Sequence, residues 1–286
     1  MSFNEVAGIV FLGIVSFGIL WFGKYKGFFR WNPNRNWNNP LTLIHLLIPF
    51  AIYFAVAYLL APLLIYLLLP HFDHGGIGLA SWLNFIISAS ILLGIWIYSR
   101  TVNPQIPSNL WRNQNLIANY QEDFIFAFYA WCLSFPLVLF VSQLLESFVL
   151  IVFNQAKLPD QIAVYFVKMT FHDPLYFFLA ILTIVFIAPL IEETLFRGLL
   201  QSYIRKYRGP REAIFITALC FSFFHFSPEQ GLGNIPIIGS LFILALFLGF
   251  IYEKQGSLLA SVSLHSLFNA ISILNLYFLG KVQFPL

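Results

Sequence analysis

The sequence is poor in charge: only 9% of its residues are Asp, Glu, Lys or Arg, against roughly 25% in a typical soluble domain. Hydrophobic residues make up 59% of the chain. Apolar runs long enough to cross a bilayer, which needs about 20 helical residues, recur from end to end. These proportions exclude a water-soluble globule. They predict an all-α, polytopic integral membrane protein in which residues 1–286 form a single membrane domain.

The sequence also lacks features that mark other classes of protein. Its two cysteines, Cys132 and Cys220, lie within apolar runs, so we interpret them as buried hydrophobes rather than as a disulfide or a metal pair. There is no glycine-rich phosphate loop and no low-complexity tract, and the absence of an inverted repeat disfavours a transporter. The net charge of +3 comes from basic residues beside apolar runs, where they orient helices. We therefore expect no nucleic-acid partner.

Apolar runs separated by polar breaks predict about eight transmembrane helices. Their expected ranges are 6–22, 41–69, 78–98, 124–153, 174–206, 213–226, 235–253 and 257–279. Eleven basic residues fall in the breaks after the first, third, fifth and seventh helices, and three fall in the remaining segments. Because cytoplasmic loops are enriched in Lys and Arg, this alternation predicts that both termini face away from the cytoplasm.

Polar side chains cluster inside the C-terminal predicted helices. An ionisable group at a helix centre costs roughly 2.5–3.5 kcal/mol on insertion scales, so such a group indicates a functional site by default. The cluster consists of Glu192, Glu193 and Arg197 on the fifth helix, Phe221 and His225 on the sixth, and His265 and Asn269 on the eighth.

The spacing of these residues predicts how they face one another. Glu193 and Arg197 are four residues apart on one helical face, where an acid and a base pair well, whereas Glu192 is turned by about 100° from Glu193. Counted at about 1.5 Å per residue from the nearest cytoplasmic basic residue, Glu192, His225 and His265 lie roughly 20, 21 and 17 Å deep. Three helices therefore place polar groups in one layer, which indicates one shared site.

The residue types in this layer suit hydrolysis, which needs a base, a water and donors to an oxyanion. A polar network that only joins the helices is the alternative. Pro189, three residues before Glu192, lacks an amide hydrogen, so we expect the helix to loosen at Val185. This loosening suits an ordinary packing kink and a kink that shapes the site equally well.

In these three blocks the sequence resembles the CPBP family (CAAX prenyl protease and bacteriocin-processing) of intramembrane endopeptidases, which includes the type II CAAX prenyl endopeptidases. The family signature has two glutamates with an arginine four residues after the second, a phenylalanine four before a histidine, and a histidine four before an asparagine. All three blocks are intact here. The resemblance covers residues 174–279, the expected four-helix catalytic core, and leaves the N-terminal helices in residues 1–173 without an assigned role.

The resemblance implies an enzyme that hydrolyses a peptide bond of a membrane-associated protein or peptide, of the CAAX type or from bacteriocin or signalling-peptide processing. Glu192 and His225 would activate the water, and His265 and Asn269 would donate to the oxyanion. The implied partners are membrane lipid and the membrane-anchored substrate, and the implied location is the cytoplasmic membrane of a prokaryote. The supporting or substrate-binding residues would be Glu193, Arg197 and Phe221.

Two alternatives stay open at these residues. Glu192, His225 and His265 form a plausible zinc set, and members of the family have been described as metalloproteases. We expect no metal, because no His-Glu-x-x-His motif is present and because Glu193, the nearest partner to orient a histidine, is expected to pair with Arg197. A non-catalytic scaffold or regulator on the same fold is the other alternative. Such a protein would be free to lose catalytic groups, and none is lost here.

Overall fold

The structure is a computed structural model that describes residues 3–31, 39–68, 76–111, 119–159 and 161–279. Within these ranges the chain is helical and contains no strand. Seven of the described helices are long and apolar enough to cross a membrane. The predicted all-α, polytopic membrane protein is thereby confirmed.

Ten helices follow one another along the described chain, and two of them, α4 and α6, are short and were not among the predicted ones. A 3₁₀ segment, Pro228–Gly233, precedes α9. The helices are α1 Phe3–Tyr25, α2 Leu43–Leu68, α3 Ile77–Thr101, α4 Gln105–Trp111, α5 Tyr120–Val152, α6 Ile162–Thr170, α7 Pro174–Arg208, α8 Pro210–Phe224, α9 Asn234–Gln255 and α10 Leu258–Leu279.

Each of the eight predicted helices is present close to its expected range. The sixth, α8, has 15 residues, which at about 1.5 Å per residue spans roughly 22 Å and is shorter than the bilayer core of about 30 Å. It ends at Phe224, next to the polar cluster. The described part of the chain therefore has seven helices of full crossing length rather than eight.

The helix α9 lies at the centre of the C-terminal half. In its apolar stretch 61% of the residues are buried, against 17% in the apolar stretch of α1. It packs against α5, α8 and α10, while α7 packs against α3, α8 and α10. The helices that carry the three sequence blocks are therefore direct neighbours of one another or share α9 as a neighbour.

Basic residues from different breaks meet at one end of the helices. Arg205 Nε lies 2.9 Å from Glu253 Oε2, and Lys254 Nζ donates to the carbonyl of Phe28. The breaks after the first, fifth and seventh predicted helices therefore share one end, as the charge alternation predicts. Which side of the membrane this end and the two termini face stays a prediction. Three residues of the charge count lie outside the described residues: Arg35, Arg112 and Lys281.

Candidate active site

The helix α7 is locally widened on both sides of its two glutamates. Two π-helical stretches, Leu182–Ile187 and Thr194–Gln201, flank the α-helical turn Ala188–Glu193. Pro189 has no N–H to donate to the preceding turn, and the expected loosening at Val185 falls inside the first π-helical stretch. Such single π turns are rare and are frequently found at functional sites.

The widened turn is tied to α10 by Asn269. The Asn269 side-chain amide donates a hydrogen bond of 3.0 Å to the carbonyl of Ile184, which satisfies a backbone group inside the membrane-spanning region. An asparagine amide has two N–H groups. One of them therefore holds the helices together, and the other is left for a second acceptor.

Glu193 binds two partners at once. Its Oε1 accepts hydrogen bonds from Arg197 Nη1 at 2.8 Å and from His265 Nδ1 at 2.9 Å. The predicted pairing with Arg197 is confirmed. The expectation that this pairing withholds Glu193 from a histidine is wrong, because one carboxylate oxygen has two lone pairs and accepts from both groups.

The contact with Glu193 fixes the proton of His265. A neutral imidazole that donates from Nδ1 has no proton on Nε2. This Nε2 lies 3.9 Å from Glu192 Oε2. Neutral His265 therefore accepts a proton or a hydrogen bond at Nε2, and it donates from this nitrogen only as an imidazolium.

His225 is held in the same tautomer by a different partner. It directly follows α8, and its Nδ1 donates to the backbone carbonyl of Phe221 at 2.8 Å, a carbonyl of the kind that a helix C-terminus leaves unpaired. Its Nε2 lies 3.7 Å from Glu192 Oε2. The four-residue spacing from Phe221 to His225 therefore orients the imidazole.

The ring of Phe221 supports the site through its contact with Arg197. The guanidinium carbon of Arg197 lies 4.3 Å from the ring centroid, a distance typical of a cation–π contact, and Arg197 Nη2 also donates to the carbonyl of Ala245 at 3.2 Å. The side chains of Phe221 and Arg197 are completely buried. Their burial favours a supporting role over direct contact with substrate.

Glu192 faces both imidazoles with an unpaired oxygen. Its Oε2 is buried and has no hydrogen-bond partner within the described part of the chain. A water bound at about 2.8 Å from this oxygen can also reach Nε2 of His225 and of His265. The arrangement therefore brings a carboxylate oxygen and two imidazole Nε2 atoms within reach of one bridging water.

The same three groups meet part of the requirements of a zinc site. Both histidines present Nε2, and each has an Nδ1 partner that fixes its ring, which is the support that metal-bound histidines need. Across the described ranges, however, no group of three or more His, Cys, Asp or Glu side chains is arranged to hold a metal ion. Glu192, His225 and His265 would hold zinc only after moving closer together, and metal dependence stays a prediction.

Glu192 and His225 line a cavity of about 560 Å³. It lies along the first half of α7, remote from Arg205 near the end of that helix. Sequence reasoning missed the part of this cavity that the N-terminal helices build. The sequence signal that could have revealed this part of the cavity is the pair Asn84 and Ser88, two polar residues four apart in a membrane helix. The lining residues that precede α7 are Tyr53 and Ala57 of α2, Ala80, Asn84, Ile87, Ser88 and Ile91 of α3, Gln161, and Ile162, Ala163 and Phe166 of α6.

Comparison with families of known proteins gives a match. No curated protein and no solved structure matches the chain. A family match covers about a third of the chain and contains all seven residues of the polar cluster. Residues 174–271 match the model of the family described as type II CAAX prenyl endopeptidase Rce1-like, which confirms the resemblance that the three sequence blocks indicate.

Proposed function

We propose that this protein is an intramembrane endopeptidase that cleaves a membrane-anchored protein or peptide with a water activated by Glu192. The family match supports a protease of the CAAX type. The observation that carries the proposal is the unpaired, buried Oε2 of Glu192, which faces Nε2 of His225 and of His265 at 3.7 and 3.9 Å.

In the proposed reaction the water donates one hydrogen bond to Glu192 and the other to Nε2 of His225. The water oxygen forms a bond to the peptide carbonyl carbon while Glu192 takes its proton, as a general base does. The carbon–nitrogen bond then breaks, and Glu192 passes the proton to the leaving amine. The products are a new carboxyl terminus and a new amino terminus.

The oxyanion that forms during the attack needs donors. The second N–H of Asn269 supplies one, since the first is bonded to Ile184. His265 supplies another as an imidazolium, a form that the carboxylate of Glu193 at 2.9 Å stabilises. The preorganised donors would stabilise the charge that develops on the carbonyl oxygen.

The zinc-dependent endopeptidase is a second candidate, and one observation favours it. Each histidine already has the Nδ1 partner that a zinc ligand requires: Glu193 for His265 and the carbonyl of Phe221 for His225. We rank metal-free hydrolysis first, because Glu192, His225 and Asn269 supply a base, a water contact and an oxyanion donor without a metal.

The test is cleavage of membrane-anchored fluorogenic peptides by the purified protein in liposomes. We expect Glu192→Gln to lower kcat by about 10²- to 10⁴-fold, the usual contribution of general-base catalysis, and His225→Ala to lower it strongly. Glu146→Gln is the matched control, because Glu146 is a partly exposed carboxylate of another membrane helix, α5. Equal cleavage by the parent protein, Glu192→Gln and His225→Ala would refute the proposal and leave the non-catalytic scaffold.

A further inference from the structure

The N-terminal helices bring polar side chains into the cavity over Glu192. The family match begins at residue 174, yet α2 contributes Tyr53 and α3 contributes Asn84 and Ser88 to the cavity wall. A polar side chain in the apolar region of a membrane is costly and indicates a partner. The N-terminal half of the protein therefore offers hydrogen-bonding groups to whatever enters the cavity.

A further polar group lies on α7, the helix that carries Glu192. Thr183 of α7 lines the same cavity and is only 3% exposed. Its Oγ1 is buried without a hydrogen-bond partner among the residues that the structure describes. Leaving a buried hydroxyl without a partner is costly, so this group also points to a ligand that supplies one.

Apart from Gln161, Ser227, Gln230 and the proposed catalytic groups Glu192 and His225, the rest of the cavity wall is apolar. The ring of Tyr53 packs against an aromatic neighbour. The Tyr53 ring centroid lies 5.1 Å from that of Phe224, the residue before His225. This contact positions Tyr53 beside the catalytic groups. A site with apolar walls and a few placed polar groups is typical of specific ligand binding.

From this arrangement we infer that Tyr53, Asn84, Ser88 and Thr183 bind the backbone of an extended peptide substrate and present one of its carbonyls to Glu192. The inference rests on the proposed peptidase function and assigns the substrate-binding wall to α2 and α3. An extended peptide has unpaired N–H and C=O groups that find no water in the bilayer core. A lipid acyl chain has no such groups and would leave the four polar side chains unsatisfied.

The kinetic test uses two matched pairs of substitutions. Tyr53→Phe and Ser88→Ala each remove one hydroxyl from the cavity wall. Tyr58→Phe and Ser90→Ala remove one from the same helices at positions that do not line the cavity. With the fluorogenic peptide that the parent protein cleaves, we expect the first pair to raise KM by about 3- to 10-fold, the value of one hydrogen bond, with kcat nearly unchanged.

A binding test separates this inference from the peptidase proposal. A photoreactive residue is placed at Ile87, which lines the cavity, or at Ile86, which is 40% exposed on the same helix, in the Glu192→Gln protein. Cross-linking of the membrane-anchored peptide at position 87 and not at 86 supports the inference whether or not cleavage occurs. Equal cross-linking at both positions would overturn it. The inference would also be overturned if the parent protein cleaves the peptide, Glu192→Gln does not, and all four hydroxyl variants have the same KM as the parent.

Discussion

The carboxylate of Glu193 and the imidazole of His265 form a hydrogen bond of 2.9 Å between α7 and α10. The same carboxylate oxygen accepts from Arg197 at 2.8 Å. One buried carboxylate therefore neutralises a buried cation on its own helix and sets the proton position of a histidine 72 residues away. The second glutamate of the sequence block thus contacts Arg197 and His265, whereas Glu192 faces the position of the proposed water.

Substitution of Glu193 tests this double role. Glu193→Gln removes the negative charge and leaves the completely buried guanidinium of Arg197 unpaired, which typically costs about 3–5 kcal/mol. We expect a clear fall in Tm, and a fall in kcat of about 10- to 100-fold from the misoriented His265. Tm and cleavage are measured on the same purified protein.

A matched control exists on the protein surface. Glu212 faces Arg208 at 4.0 Å with the same four-residue spacing, but both side chains are exposed. Because exposed pairs contribute little, Glu212→Gln should change neither Tm nor kcat. A Glu193→Gln protein that behaves like Glu212→Gln would contradict the role of Glu193.

The ring of Phe221 should contribute to stability more than to chemistry. Phe221→Leu removes the cation–π contact with Arg197, which is worth up to about 2 kcal/mol in a desolvated site. It keeps the backbone carbonyl that holds His225. We expect a lower Tm and a smaller loss of kcat than in Glu192→Gln. Phe223→Leu, which alters a 60% exposed ring on the same helix, is the control and should leave both quantities unchanged.

Pro189 should matter because it keeps the turn before Glu192 open. Pro189→Ala restores an N–H that can bond to the carbonyl of Val185, close the π-helical stretch and shift the Ile184 carbonyl that Asn269 binds. Displacing catalytic groups by about 1 Å can cost on the order of 100-fold in rate, so we expect kcat to fall while the protein stays folded. Pro136→Ala in α5 removes another proline from inside a membrane helix. Equal kcat in the two variants would show that the Pro189 kink is only a packing feature.

The sequence predicts the parts of this site that depend on spacing along one helix. The pair Glu193 and Arg197, the different direction of Glu192 and the shared depth of His225 and His265 all follow from the 3.6-residue period and the rise per residue. The bond from Glu193 to His265 does not follow, because the period does not fix how two packed helices are rotated toward each other.

Other features escaped prediction for related reasons. The short helices α4 and α6 lack long apolar runs, so hydropathy does not reveal them. The position of Tyr53 beside Glu192 depends on packing between the N-terminal helices and α7, which no local pattern encodes. Pro189 predicted a loosened turn, but the partner of the freed backbone, Asn269, lies 85 residues from Ile184.

The orientation in the membrane is tested by cysteine labelling. In a protein whose Cys132 and Cys220 are replaced by alanine, single cysteines are placed at Lys157 or at Arg208, both of which are exposed. We expect an impermeant maleimide to label position 157 in intact cells and position 208 only after permeabilisation, because the basic loop should be cytoplasmic. This orientation would place the cavity, in the first half of α7, in the outer half of the membrane. Labelling of both positions from the same side, or the reverse pattern, would contradict the predicted topology.

The most direct test of the account is peptide cleavage by the purified protein with its metal content measured in the same sample. We expect cleavage to continue without stoichiometric zinc, to be unchanged by chelators, and to fall by about 10²- to 10⁴-fold in Glu192→Gln. A stoichiometric zinc ion, with cleavage lost on chelation and restored by zinc, would make Glu192, His225 and His265 metal ligands and contradict a metal-free Glu192 base.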